Sequence, residues 1–268
     1  MDLSLSAIIE HIGSDLAQTA SSVSVEFALE ARELAVLSGS AHVYDDPYLI
    51  VQLTDGNQGY VFAHPNEISM QDMVGIVGKP IRTIKLSELP TWLAVALLDA
   101  MTPVCKGLPE PSRSRRLSGA AQYKSEMRAQ FIANLLPLQD TTNVAVIGGI
   151  EDIVKQISAS AKDVRIADFH LAGTKLCGIE VETDYMSLLD WCDVALITGN
   201  TLKTDTLSDI CSVIQRRNIY ANIYAMTGHN LFPAIMADLP FRWVTAETFP
   251  FYWFAGSDSA IRAFKSKA

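Results

Sequence analysis

Apolar and polar positions follow two different rhythms along the chain. Leu5, Ile8, Ile9, Ile12 and Leu16 recur at helical spacing with Glu10 and Asp15 on the other side, which predicts an amphipathic helix over 3–17. Strict alternation over 23–29 predicts a half-buried strand, followed by a run around 34–43 and by strands over 48–53 and 60–63, the last two separated by the turn Asp55-Gly56-Asn57-Gln58-Gly59. The stretch 80–86 reads as loop or short edge strand, and Leu89-Pro90-Thr91 opens a helix over 92–101. That helix is apolar on nearly every side, so it belongs between layers. Asp99 is the exception within it, a carboxylate that must be solvated, hydrogen-bonded or paired.

The second half alternates strands with helices. Apolar runs at 143–147, 163–168, 193–197, 219–225 and 241–245 are separated by helical patterns at 150–157, 185–191, 204–216 and 230–237, with a further helix at 123–136. This spacing predicts βαβ units and a mainly parallel sheet. The expected fold class is therefore α/β in two domains: an antiparallel α+β domain over 1–110 and a Rossmann-like domain over 120–268. Between them, Pro103, Gly107, Pro109, Pro111 and Gly119 mark the boundary, and the basic cluster Arg113, Arg115 and Arg116 reads as a solvated linker.

Composition narrows the classes of function. The 268 residues are 49% hydrophobic, enough for a sizeable core, and the net charge of −9 argues against a nucleic-acid partner. Cys105, Cys177, Cys192 and Cys211 are too far apart for a zinc clamp and read as free thiols. The sequence has no secretory leader pattern and no apolar run near the ~20 residues that cross a bilayer. A cytoplasmic protein with no membrane partner is expected, with a homo-oligomer left open.

Chemistry concentrates at the strand ends. In an open α/β sheet ligands sit beyond the carboxyl ends of the strands, which here are Gly148-Gly149, Asp168, Thr198-Gly199-Asn200-Thr201 and Thr227-Gly228-His229. Glycines after the first strand let a ligand approach backbone amides, and an acid about 20 residues on is where a ribose is often held. The third glycine of the dinucleotide fingerprint is missing, and Glu151 and Asp152 oppose a pyrophosphate, so S-adenosylmethionine fits this loop better than a nicotinamide or flavin. The 198–201 elbow equally suits a carboxylate-binding site or a helix cap. Asp168, His170 and His229 form a conceivable metal set without diagnostic spacing, and His42 and His64 read as structural. Tyr252, Trp253 and Phe254 read as core or interface aromatics.

These segments resemble a known family. The run Val144-Ala145-Val146-Ile147-Gly148, then 192–202 with Thr206-Leu207, then Thr227-Gly228-His229-Asn230-Leu231-Phe232-Pro233, is similar to the putative heavy-metal-chelation proteins. The resemblance implies a Rossmann-like second domain joined to a first domain like the enolase amino-terminal fold. This chain departs from the family at Asn200, over 203–206 and at Thr227-Gly228-His229, all on the expected pocket.

The leading expectation is binding of a small ligand, one able to carry a transition metal, in metal or metallophore metabolism. Two others stand beside it: an enzyme using S-adenosylmethionine or a nucleotide, with His229 or Asp99 at the reacting group, and a non-catalytic interaction protein.

Overall fold

The computed structural model describes residues 3–18, 22–36, 43–64, 66–140, 142–249 and 256–266. His42 and the aromatics Tyr252, Trp253 and Phe254 fall outside them.

The first part is a three-stranded antiparallel sheet of β1 (Val25–Val36), β2 (Val43–Leu53) and β3 (Gln58–Phe62), in that order. Where alternation suggested a strand over 23–29 and a separate run, one long strand forms, paired with β2 from Val25↔Leu53 to Val36↔Val43. Three helices accompany the sheet: α1 (Leu5–Gln18), α2 (Met70–Ile76) and α3 (Thr91–Cys105). The segment at 80–86 becomes 3₁₀ turns rather than a strand, held at the start of β1 by the bridge Ser24↔Pro80 and by the Ile81 N–H, which donates to the Val23 carbonyl at 3.1 Å.

Helix α3 is buried continuously from Trp92 to Thr102, as its unbroken apolar run requires. It packs so closely on β3 that a Cβ at Gly59 would lie 2.0 Å from the Ala96 carbonyl. Pro103 sits inside the helix and has no N–H to offer the carbonyl one turn back, that of Asp99. The Asn230 side chain supplies the missing donor at 3.2 Å.

The remaining strands are β4 (Arg113–Leu117), β5 (Asn143–Ile147), β6 (Asp163–Ala167), β7 (Lys175–Leu176), β8 (Ile179–Glu182), β9 (Val194–Thr198), β10 (Tyr220–Ala225), β11 (Trp243–Glu247) and β12 (Ser259–Lys265). Among the described residues they form one sheet in the order β4-β12-β11-β10-β9-β5-β6-β8-β7. From β11 across to β8 the pairs are parallel, whereas β12 pairs antiparallel with both β11 and β4. The mixed α/β architecture expected from the pattern is thus observed, a small antiparallel sheet beside a larger and mostly parallel one.

The basic cluster is not a linker. Arg113, Arg115 and Arg116 lie on β4, the edge strand, because Leu117 is buried and the backbone pairs with β12 from Ser259↔Leu117 to Ala263↔Arg113. Charged side chains along a sheet edge mask the pattern that would otherwise announce a strand.

The helices of this sheet are α4 (Ala121–Ala133), α5 (Glu151–Ser158), α6 (Tyr185–Trp191), α7 (Leu207–Arg217) and α8 (Leu231–Ala234). Helix α5 shows the expected stripe, with Ile153, Val154 and Ile157 buried. No helix among the described residues is long and apolar enough to cross a membrane.

Candidate functional site

The strand order places the chain reversal between β5 and β9, with β6 beyond one and β10 beyond the other. Loops leaving such a reversal point diverge to opposite faces and leave a crevice. Here the four strand ends stand side by side, and the first sheet covers them. A cavity of about 700 Å³ lies between, lined from the large sheet by Gly148, Gly149, Asp168, Thr198, Gly199, Asn200, Thr201 and Thr227. Tyr48, Phe62, His64 and Glu67 supply the opposite wall, and Ser125 and Arg128 of α4 contribute a third side.

Glycines make the approach of these loops possible. Gly148 has φ +96°, and a Cβ there would lie 2.0 Å from Thr198 Oγ1. At Gly199 a Cβ would lie 2.0 Å from the Thr227 carbonyl, so β9 and β10 end almost in backbone contact.

Asp168 organises the first loop. Its Oδ2 accepts from the Gly149 N–H at 2.9 Å, and its Oδ1 accepts from the His170 and Leu171 N–H groups at 2.8 and 3.0 Å. Much of its hydrogen-bonding capacity is spent on backbone.

The elbow is a 3₁₀ turn, Gly199–Leu202, and α7 begins only at Leu207, later than the 204–216 pattern. Thr201 Oγ1 donates to the Thr198 carbonyl at 2.9 Å, and no side chain caps α7 from Thr206. The Thr227 hydroxyl accepts from the Phe62 N–H at 3.2 Å, joining β10 to β3. Asn200 Oδ1 is buried without a protein partner.

Gly228 and His229 do not line the cavity. Gly228, at φ +75°, turns the chain against Phe232, and His229 points away to the first sheet. His229 Nδ1 meets Asp99 Oδ2 at 2.7 Å, while Asp99 Oδ1 accepts from the Asn230 and Leu231 N–H groups at 2.9 and 3.0 Å. Asp99, wholly buried, therefore ties α3 to the start of α8. The His229 ring packs on Tyr60 with centroids 4.7 Å apart. Burial, and after it the charge of Asp99, pushes the Tyr60 hydroxyl well above its ordinary pKa. Neither Asp99 nor His229 reaches the cavity as the expected reacting group, because each satisfies the other.

Two features of the site had no local signal. Arg128 is held by the Glu247 carboxylate through both Nε and Nη2, with Ser259 and Tyr224 also donating to Glu247. Burial opposes the guanidinium charge, but the Glu247 carboxylate outweighs it and keeps Arg128 protonated. Across the cavity Lys203 pairs with Glu67, which also accepts from the His64 N–H at 2.7 Å. Burial raises the Glu67 pKa, yet the bonds from Lys203 and His64 prevail and hold it below its ordinary value. Nothing local marks either pair, because the partners are far apart in sequence.

A metal held by the protein alone does not fit these residues. His64 and His170 pack edge to face at 5.4 Å between ring centroids, but no group of three or more His, Cys, Asp or Glu side chains able to hold a metal exists among the described residues. The four cysteines are free, and burial pushes Cys211 up to about 12 and Cys192 up to about 11. They are poor thiolates at neutral pH.

Fold and cavity together define a two-sheet α/β protein with a crevice at a topological switch point. Residues 131–221 match the family model DUF364, described as "Putative heavy-metal chelation". Two solved members of that family share the fold. One, of unknown function, from Desulfitobacterium hafniense DCB-2, is 13% identical with a TM-score of 0.58, covering 96% of this chain and 98% of that one. The other, also of unknown function, from Pyrococcus horikoshii, is 12% identical with a TM-score of 0.53, covering 96% and 99%. No curated protein sequence matches this chain.

Proposed function

We propose that the cavity binds a small, positively charged ligand, an amine or a metal complex, whose polar hydrogens meet the Thr198 to Thr201 elbow. Asn200 carries this reading. A buried amide oxygen without a protein partner costs free energy unless something donates to it, and this one lines the cavity.

Charge supports the same ligand class. Among the described residues the carboxylates lining the cavity are Glu67, Glu151, Asp152 and Asp168, against Arg128 and Lys203, each already paired with a carboxylate. Tyr48, Phe62, Phe169, Tyr185 and Tyr224 add aromatic surface, which favours a cation with an apolar body. A pyrophosphate would face Glu151 and Asp152 at the start of α5, so a nucleotide is disfavoured. A metal enters in this reading as cargo, already coordinated by the ligand. S-adenosylmethionine, a sulfonium and an amine, is the second candidate, favoured by the glycine turn at Gly148 and by Asp168 at the neighbouring strand end.

Thermal-shift and calorimetric titrations with nickel, cobalt and zinc amine complexes, with S-adenosylmethionine and with ATP test the proposal. A ligand that prefers the folded state raises the melting temperature with dose. The cationic ligands should do so, and Asn200→Ala should weaken them by about tenfold, the worth of one hydrogen bond to a charged donor. Stabilisation by ATP alone, or by none of the panel, would overturn it.

A further inference from the structure

We propose that Phe169, with Tyr185 beside it, is the shelf on which a flat aromatic ring of the ligand stacks, two strand positions away from the group that meets Asn200. The placing of the ring relative to Asn200 rests on the cationic reading above; the shelf itself does not.

Phe169 is 56% exposed although it lines the cavity. A phenyl ring left in water forgoes the free energy of burial, and apolar surface exposed in a crevice marks a place that a ligand covers. The backbone around it is held firmly. Asp168, one residue earlier, accepts from the N–H groups of Gly149, His170 and Leu171, and its own N–H donates to the Glu182 carbonyl at 2.9 Å. The loop is thereby pinned on both sides of Phe169. The next side chain, His170, leaves toward the first sheet and meets Phe62 with ring centroids 5.4 Å apart.

Tyr185 gives the shelf its second side. It is the first residue of α6, a helix capped by the Asp184 carboxylate, which accepts from the Ser187 N–H at 3.1 Å, and its side chain leans on the core. The Phe169 and Tyr185 rings stand 6.1 Å apart between centroids with their planes at 89°. In such an edge-to-face pair at least one face of each ring stays clear of the other, and offset stacking of a further ring there is favourable.

Dimensions and solvent select a ring for this place rather than the cation itself. Phe169 follows β6 and Asn200 follows β9, and β5 lies between those two strands. Two strand spacings separate the loops by about 10 Å. The cavity of about 700 Å³ has room for a ligand of that reach, well beyond a bare ammonium. A cation over the exposed face of Phe169 would gain little, because such contacts weaken where water reaches them. A flat ring displaces that water and gains by doing so. The ligand class is therefore a cation extended by an aryl or heteroaryl ring.

Calorimetric titration of the full chain with three compounds tests the proposal. S-adenosylmethionine carries both parts; S-methylmethionine keeps the sulfonium and the amino acid but has a methyl group in place of the adenosyl one; methylthioadenosine keeps the ring without the charge. The wild type should bind S-adenosylmethionine roughly tenfold more tightly than S-methylmethionine, or better. Phe169→Ala should weaken both ring-bearing compounds about tenfold, the effect of truncating a stacking aromatic, and leave S-methylmethionine unchanged. Phe169→Trp should hold or tighten them. Because Phe169 is more than half exposed, its replacement should spare the fold, which unchanged circular dichroism checks. Methylthioadenosine binding that needs Phe169, without binding of S-methylmethionine, would support the shelf and refute the cationic reading. Equal affinity for the two sulfonium compounds would overturn the shelf and leave that reading standing. An equal loss of S-methylmethionine affinity in Phe169→Ala, or a wild type that binds none of the three, would also overturn the shelf.

Discussion

Replacing Asp99 with alanine should be among the most damaging single changes to this protein. Its carboxylate receives three donors within 3.0 Å, from His229 Nδ1 and from the Asn230 and Leu231 N–H groups, in a place with no solvent exposure. Each donor stranded in the interior costs about 1–3 kcal/mol. Water entering the space left by the shorter side chain offsets part of this, so the loss should be about 3–5 kcal/mol, as for a broken buried charge pair. Against a total stability of about 5–15 kcal/mol this is a large share. Asp99→Asn is the control. It keeps an acceptor for the two backbone N–H groups and loses only the charge and the His229 partner, so it should cost about 1–2 kcal/mol. Urea unfolding followed by tryptophan fluorescence gives both values from the shift in midpoint at constant slope. An Asp99→Ala cost under about 1 kcal/mol would refute the reasoning, since solvent would then replace the carboxylate without loss. Equal costs for alanine and asparagine would show that charge, rather than acceptor geometry, holds the contact.

Two further predictions follow from the site. Gly199→Ala places a Cβ 2.0 Å from the Thr227 carbonyl and must push β9 and β10 apart, so thermal unfolding should report a loss of about 1–3 kcal/mol; a neutral result would deny the close approach. The lowered pKa of Glu67 means that the unfolded chain binds its proton more readily. The pair with Lys203 therefore contributes fully above the ordinary value of 4.5, and that contribution disappears as pH falls through the lower folded value. With Glu67 partly exposed the effect should stay below about 1 kcal/mol. The stability gap between wild type and Glu67→Gln, measured from about pH 7 to pH 3, should close on acidification; a constant gap would contradict the assignment.

What could be read from the sequence was what local periodicity encodes. The strand 143–147 and the helix 185–191 fall where the pattern puts them, because their apolar spacing is coupled directly to the turns that end them. Those same turns placed the elbows on one sheet edge. Pairing made at a distance stayed hidden. Strand β12 has a weak alternation and exists because β11 and β4 hydrogen-bond to it from both sides. Arg128 reads as an ordinary solvated helix residue until Glu247, 119 positions on, is brought against it. Asp99 stood out as a misplaced charge, but its partners on α8 come from the far end of the chain. Whether Gly228 and His229 touch a ligand was not legible either, since a strand end can turn outward to the crevice or inward to the neighbouring sheet.

The arginine-bearing edge strand also has a history in time. β4 is made long before β12, its one partner strand among the described residues: Leu117 and Ser259, which pair with each other, are separated by 142 positions in the chain. At about 5–20 residues per second of synthesis, β4 waits on the order of ten seconds with both of its edges open. An apolar strand left so long would recruit any other edge it met. Like charges at Arg113, Arg115 and Arg116 disfavour pairing of this strand with another copy of itself, which is the property such an interval calls for.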